Sequence, residues 1–191
     1  MRASTAWADE SFQEHDTTGF YIIAAVIIPA SAQESARAQM LRAQARHAPA
    51  KLHWVARDEK ERLELAYTVA EIEGLHVVAV GSPVHQRRQE RARAYCLHQL
   101  VLELHGFGVE QLFMEARRPT LNTRDITTVR HARYTLPKGT HFRIDHLPGA
   151  GEALLWVADI VAGAVRAEKL GDPRYREILG DRVIDFPVRV L

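Results

Sequence analysis

The sequence predicts an α/β protein with three layers, in which helices cover both faces of a mixed central sheet. Two strand-like segments, residues 4–8 and 20–28, follow one another near the start of the chain, a pattern typical of an antiparallel hairpin. Strand-like and helical segments then alternate along the rest of the chain, which indicates strands connected by helices. Since the 191 residues contain no internal repeat and no linker-like stretch, we expect one domain over residues 1–191.

Short apolar runs that end at turn residues predict the strands. Residues 20–28 are β-branched, aromatic and apolar on both faces, which indicates a central strand, and Pro29 ends it. A second buried run is expected to stop at the turn-like sequence Gly81-Ser82-Pro83. Strands are predicted at residues 4–8, 20–28, 51–55, 75–80, 109–114, 140–147 and 183–191.

Capping residues and apolar stripes predict the helices. Asp58, with Glu61 three residues later, has the pattern of a capping box, and Gly74 is expected to close the helix that follows. A glycine also follows two of the other helical segments, at Gly106 and Gly171. Helices are predicted at residues 33–47, 86–105, 123–135 and 152–170. A further helix is predicted to begin at residue 58, and a short last helix begins at Asp172-Pro173 and ends at residue 179.

The composition excludes several classes of protein. An apolar fraction of 47% and a charged fraction of 26% are typical of a globular protein and exclude a disordered or collagen-like chain. The single cysteine, Cys96, excludes an internal disulfide and a thiolate zinc cluster. Residues 20–30, the longest charge-free apolar run, are too few to cross a bilayer. Because residues 1–10 also lack the apolar stretch of a secretory signal, we expect a cytoplasmic protein without a membrane partner.

Acidic residues follow two of the predicted strands and interrupt one apolar helix. Asp9 and Glu10 come at the carboxyl end of the first strand, and Glu115 comes at the end of the strand over residues 109–114. Asp159 lies in a helix that is otherwise apolar almost all round. A charge there must be paired, protonated or directed at a metal ion, because burying it alone is costly.

These acids predict a site for hard divalent ions. Mg²⁺ and Mn²⁺ prefer carboxylate oxygens, and such ions stabilise the attacking and leaving oxygens in phosphodiester cleavage. We therefore predict Asp9, Glu115 and Asp159 as metal ligands, with Glu10 as a further catalytic acid. Three alternatives stay open: an arginine partner for Asp159, a turn or capping role for the acids at residues 9 and 10, and an ion pair of Glu115 with Arg117 or Arg118.

Three other residues are candidates for accessory roles. Asp145 alternates with apolar residues on a predicted strand and could orient water or complete a second metal site, although a surface carboxylate fits the pattern equally well. Lys51 and His53, in the unit Lys51-Leu52-His53-Trp54, could orient a phosphate or transfer a proton. A structural role is the alternative for both.

Arginines gather in the second half of the chain. The segment over residues 117–143 contains seven cations and only one acid, Asp125, so its local charge is +6 although the whole chain has a net charge of +1. Guanidinium groups bind phosphate in a bidentate fashion, and basic stretches suit polyanions. We therefore predict contacts with the backbone of a nucleic acid, the alternative being a solvated surface. The predicted contact residues are Arg117, Arg118, Arg124, Arg130 and Arg133.

Both ends of the chain resemble one bacterial family. Asp9-Glu10-Ser11, followed by the apolar run over residues 19–29, is similar to the opening of the domain-of-unknown-function family numbered thirty-eight hundred. The stretch over residues 156–164, Trp-Val-Ala-Asp-Ile-Val-Ala-Gly-Ala, is similar to the closing helix of that family. The resemblance spans nearly the whole chain and is most specific at its two ends.

This resemblance implies a ribonuclease H-like fold similar to that of RuvC-type nucleases. It also implies that acidic residues bind metal, and by position these acids are Asp9, Glu10 and Asp159, with Glu115 after the penultimate core strand. The chain departs from the family at Phe12, where a glycine is usual. Two hypotheses follow: a divalent-metal-dependent nuclease or related phosphodiester hydrolase, and a non-catalytic module that binds nucleic acid or protein.

Overall fold

A mixed six-stranded sheet with helices on both faces makes up the computed structural model, which describes residues 4–15, 19–47, 52–85 and 87–190. The strands are β1 (Ser4–Gln13), β2 (Gly19–Ile27), β3 (Leu75–Val84), β4 (Val109–Glu115), β5 (Arg143–Leu147) and β6 (Val183–Arg189). The α-helices are α1 (Gln33–His47), α2 (Glu59–Ala70), α3 (Gln89–Gly106), α4 (Pro119–Arg133), α5 (Ala153–Lys169) and α6 (Arg174–Leu179). Short 3-10 helices cover Trp54–Ala56, Gly149–Gly151 and Gly180–Arg182.

The strand order is β5-β4-β1-β2-β3-β6. β2 runs antiparallel to both β1 and β3, whereas β1 pairs with β4, β4 with β5 and β3 with β6 in parallel. The predicted α/β class, the mixed sheet and the antiparallel N-terminal hairpin are therefore confirmed. Since β1 and β4 are parallel neighbours, their carboxyl ends lie at the same edge of the sheet.

Each face of the sheet carries its own apolar core. Helices α1, α2, α5 and α6 cover one face, here called the α5 face, and α3 and α4 cover the other, the α3 face. Successive side chains of a strand point to opposite faces, so Trp7 of β1 packs into the core of the α5 face and Ala8 into that of the α3 face. By the same alternation Asp9 belongs to the α5 face and Glu10 to the α3 face.

Several elements begin or end elsewhere than predicted. β1 continues to Gln13 because pairing with β2 extends to Gln13 and Phe20, so Asp9 and Glu10 lie inside the strand and not at its end. β3 runs through the expected turn to Val84, since its pairing with β6 still includes Ser82. The N-terminal helix cap at Asp58 is confirmed, because its carboxylate accepts from the backbone of Glu61 and the Glu61 side chain accepts in return.

Two local predictions are wrong. Residues 52–55 do not form a strand; a 3-10 helix spans Trp54–Ala56, because this segment packs against α5 and not at the edge of the sheet. Helix α4 starts four residues before the predicted residue 123, with Pro119 in its first turn, a position where the missing N–H has no helical partner to lose.

No helix in the described ranges is long and apolar enough to span a membrane.

Candidate functional site

Asp9 and Glu115 leave neighbouring parallel strands on the same face. The register of β1 and β4 pairs Trp7 with Phe113 and Ala8 with Met114, so Asp9 and Glu115 are the next residues of the two strands. Adjacent strands lie about 4.8 Å apart, which places the two Cα atoms side by side. Both side chains extend to the α5 face, and Asp9 is buried, with only 6% of its surface exposed.

The carboxylate of Glu115 lies against the turn that leads into α5. A Cβ atom added to Gly149 would overlap all three atoms of that carboxyl group, so the absence of a side chain at Gly149 makes room for Glu115. The carbonyl oxygen of Gly149 accepts a hydrogen bond from Nε1 of Trp156 at 2.7 Å, which ties the turn to the first half of α5.

One stripe of α5 connects the ends of the two strands. Residues 156, 159, 163 and 166 follow helical spacing and share one side of the helix. At one end of the stripe Trp156 contacts the turn beside Glu115, and at the other end Arg166 donates to Oε1 of Gln13 in β1 at 2.5 Å. Asp159 lies between them on this stripe and is half-buried.

Asp159 also holds the segment that precedes α2. The backbone N–H of Trp54 donates to Oδ2 of Asp159 at 2.8 Å. The indole of Trp54 occupies the space over Gly163, where a Cβ would overlap the ring, and it meets Tyr175 edge-on at 4.9 Å. The aspartate therefore has a structural contact that the sequence did not predict.

The chemistry of the three carboxylates suits a hard divalent ion, although their side chains are not gathered as ligands. In the part of the chain that the structure describes, no group of three or more His, Cys, Asp or Glu side chains is spaced to hold a metal ion. The backbone nevertheless brings Asp9 next to Glu115 and places Asp159 on the stripe that touches both strand ends.

Glu10, the fourth predicted acid, points away from these three carboxylates. On the α3 face its Oε1 atom lies 2.8 Å from Nη1 of Arg93. Arg93 is only 1% exposed and also forms two hydrogen bonds of 2.9 Å to the carboxylate of Asp125. Glu10 therefore belongs to a buried ionic cluster on the α3 face. Its carboxylate lies on the opposite side of the sheet from that of Asp9.

Asp125 is the centre of this ionic cluster. It accepts from Arg93, from Arg117 at 3.0 Å and from Nε2 of His146 at 3.1 Å. Burial alone would raise the pKa of Asp125, but the hydrogen bonds from His146 and Arg93, with the charges of both arginines, lower it to about 2. The carboxylate is therefore ionised at neutral pH and its charge is balanced inside the protein.

Neighbours of the cluster respond to the same charges. Burial, followed by the negative charge of Glu10, raises the pKa of the Tyr21 phenol well above its usual range. Burial disfavours the charged form of Arg93 and on its own would lower its pKa. The negative charges of Glu10 and Asp125 outweigh this effect and raise the pKa of the guanidinium. Both groups keep their ordinary protonation at neutral pH, so the cluster acts as a fixed set of charges.

The sequence predicts other roles for two members of this cluster, a catalytic role for Glu10 and a phosphate contact for Arg117. Arg93 shares a helical stripe with Leu97, Leu100 and Leu104, all fully buried. That spacing could have predicted its burial. Asp125 stood out only as the one acid in a basic stretch, and no pattern in the sequence indicated that it would face a helix from another part of the chain.

The accessory candidates lie apart from one another. Asp145 is an exposed residue of edge strand β5, on the α5 face, and accepts from Nε2 of Gln111 at 2.9 Å. His53 is exposed just before Trp54, one residue from the backbone contact with Asp159. Lys51 lies outside the described residues. The structure therefore keeps His53 within reach of the α5 stripe and places Asp145 on the outer strand.

Most of the predicted phosphate-binding arginines occupy the opposite layer. Arg124, Arg130 and Arg133 are exposed on α4, which covers the α3 face. Arg118, also exposed, lies at the start of α4, three residues after Glu115. The guanidinium of Arg117 is only 16% exposed and is taken up by Glu90 and Asp125. Arg118 alone among the five is thus an exposed cation close in the chain to the carboxylates.

The pocket at the amino end of β1 and the comparisons with known proteins add no assignment to the carboxylates. An open pocket of about 690 Å³ lies at the amino end of β1, beside Thr5, Ile28 and Gly74, and none of the candidate residues lines it. No protein-family model and no curated protein matches the chain. The class of protein therefore rests on the fold and on the arrangement of the carboxylates.

Proposed function

We propose that this protein is a divalent-metal-dependent phosphodiester hydrolase acting on nucleic acid, built on a ribonuclease H-like scaffold. The mixed sheet, its antiparallel β1–β2 hairpin and the helices on both faces are in keeping with that scaffold. The resemblance of the segments around Asp9 and Asp159 to a family with this fold is the second line of support.

One observation carries the proposal. Asp9 and Glu115 lie side by side on parallel strands and face α5, and the stripe of α5 that contacts both strand ends contains Asp159. Three segments far apart in sequence therefore direct acids at one edge of the sheet. Ligands of open α/β sheets bind beyond the carboxyl ends of parallel strands. Glu115 is the last residue of β4, and Asp9 lies beside it in β1, four residues before that strand ends.

The residues have separable tasks in this reaction. Bound Mg²⁺ or Mn²⁺ would supply charge stabilisation for the phosphate and activation of water. Asp9 and Glu115 would hold the ion from rigid strands, and Asp159 would join them from α5 while its Oδ2 keeps the Trp54 N–H. Water attacks phosphorus and gives up a proton, the P–O bond to the leaving oxygen breaks, and that oxygen takes up a proton.

Cleavage of labelled DNA and RNA with and without Mn²⁺ tests the proposal. Glu115→Gln keeps the shape of the side chain and removes its charge, so we expect at least about a 100-fold loss of the Mn²⁺-dependent rate. Glu110→Gln is the matched control, because Glu110 is an exposed glutamate on the same strand, and it should cleave at the wild-type rate. Wild-type protein that cleaves neither polymer with Mn²⁺, or equal rates for the two variants, would contradict the proposal.

The alternative is a non-catalytic module that binds nucleic acid or protein. The observation in its favour is that Glu10, one of the predicted catalytic acids, pairs with Arg93 on the α3 face together with Asp125, where both acids serve a structural purpose. Binding of nucleic acid that is independent of Mn²⁺ and unaffected by Glu115→Gln, together with no cleavage, would favour this module over the enzyme.

A further inference from the structure

The end of α4 and the loop after it enclose a second, basic pocket. This pocket is open and has a volume of about 500 Å³. Its lining includes three cations, Arg130, Arg133 and Lys138, and no acidic residue. The loop is folded back on itself, since both the backbone N–H and the hydroxyl of Thr140 donate to the carbonyl of Pro137, at 3.1 and 2.8 Å.

The three cations of the pocket have no acidic partner among the described residues. Within the described ranges none of them forms an ion pair with a carboxylate. By contrast, Arg93 and Arg117 in the same half of the molecule each bind two acids. Three exposed positive charges around one concave surface favour a ligand that carries several negative charges.

An aromatic ring stands among these charges. Tyr134, the residue after α4, is 81% exposed and lines the pocket. No other ring of the described residues stacks on it. Burying such a ring against another flat apolar group is favourable, and an exposed aromatic beside cations is the arrangement by which proteins bind the bases and phosphates of single strands.

We propose that this pocket binds single-stranded nucleic acid, with phosphates at Arg130, Arg133 and Lys138 and one base stacked on Tyr134. The inference rests on the proposed action on nucleic acid and names the form of the polymer. A duplex fits less well, because its bases are stacked on one another and its backbone alone would be accessible to Tyr134.

The position of the pocket defines its role. Helix α4 covers the α3 face, whereas Asp9, Glu115 and Asp159 belong to the α5 face, so the sheet separates the pocket from the carboxylates. The strand held on α4 is therefore not the segment that is cut. It is a flanking segment that has to pass around edge strand β5 to reach the carboxylates, so the pocket anchors the substrate.

Fluorescence anisotropy in EDTA tests the inference without catalysis. The probe is a labelled single strand of about 12 nucleotides, with the matching duplex as a comparison. Tyr134→Ala should weaken binding by about tenfold, the effect of losing one stacked base, without changing the salt dependence. Tyr67→Ala, which removes a 60% exposed tyrosine from α2, is the matched control and should bind like the wild type.

The phosphate contacts are tested by the salt dependence. Lys138→Gln should reduce the slope of log K against log salt by about 0.7, the value for one phosphate of a single strand, and Lys60→Gln on α2 should leave it unchanged. Equal binding by the Tyr134→Ala and Tyr67→Ala variants, duplex binding as tight as single-strand binding, or poly-glutamate competing as well as nucleic acid would overturn the inference. Binding that follows these expectations while Mn²⁺-dependent cleavage is absent would refute only the proposed catalysis.

Discussion

Replacing Arg93 by methionine should destabilise the protein strongly, because it leaves buried negative charge without its partner. The guanidinium is 1% exposed and contacts Asp125, Glu10 and the Tyr21 hydroxyl. Breaking a buried ion pair from one side costs about 3–5 kcal/mol. Asp125 would keep Arg117 and His146, so we expect the lower end of that range, about 3 kcal/mol.

Urea and thermal unfolding at neutral pH measure this effect. For a chain of this size a loss of about 3 kcal/mol corresponds to a decrease in Tm of about 6–12 °C. Arg174→Met is the matched control, because Arg174 also binds an aspartate through two nitrogens, at 2.9 and 2.8 Å, but its side chain is 50% exposed. Its Tm should stay close to the wild-type value, since water solvates the partners that remain.

A decrease in Tm for Arg93→Met no larger than that for Arg174→Met would refute the reasoning. It would mean that burial does not determine the strength of these ion pairs, and that the cluster is not a structural centre of the α3 face. The methionine retains an unbranched apolar chain about as long as the stem of the arginine, so the packing of the stem is kept while the charged group is removed.

Two further predictions concern the site and the response to pH. Gly149→Ala should displace the carboxylate of Glu115 and lower the rate of Mn²⁺-dependent cleavage at least tenfold. The Tm should change little, because the end of the glutamate side chain is flexible and can move aside. Gly151→Ala is the control: its Cβ would meet no close atom, so both the cleavage rate and the Tm should stay at the wild-type values. Burial, with the nearby charge of Arg182, lowers the pKa of His76 to about 4. Because the unfolded chain takes up this proton near pH 6.5 and the folded chain does so only near pH 4, the free energy of unfolding should fall by about 3 kcal/mol from pH 7 to pH 4. Unfolding measured at both pH values should show that His76→Leu removes this part of the pH dependence.

The sequence was sufficient for the class of fold because the strongest patterns were local. The β-branched run of β2, the capping box at Asp58 and Gly171 after α5 each fixed one element through its own residues. The other two glycines did not close their helices as predicted, since α2 ends at Ala70, before Gly74, and α3 includes Gly106. Boundaries were less accurate where tertiary pairing extended an element. β1 continues beyond Glu10 because β2 supplies partners for three more residues, and nothing in the segment from Ser11 to Gln13 predicts this.

Some residues of the candidate site were also recognisable from local patterns in the sequence. An acid at the end of a strand, or alone in an apolar helix, is conspicuous in a sequence, and Glu115 and Asp159 become candidates in this way. The direction of Glu10 followed only from the alternation of β1 once its length was known. The Trp54 contact with Asp159 joins segments 105 residues apart, and no local pattern encodes such a distant hydrogen bond.

The most direct test of the proposed metal site is a crystal grown with Mn²⁺ and measured for anomalous scattering. We predict a peak between Asp9, Glu115 and Asp159 in the wild-type protein. The peak should be lost in Asp159→Asn, whose amide oxygen can still accept the Trp54 N–H and so preserves the fold. Crystals that diffract well and show no anomalous density beside these carboxylates would contradict the assignment of this edge of the sheet as a metal-dependent active site.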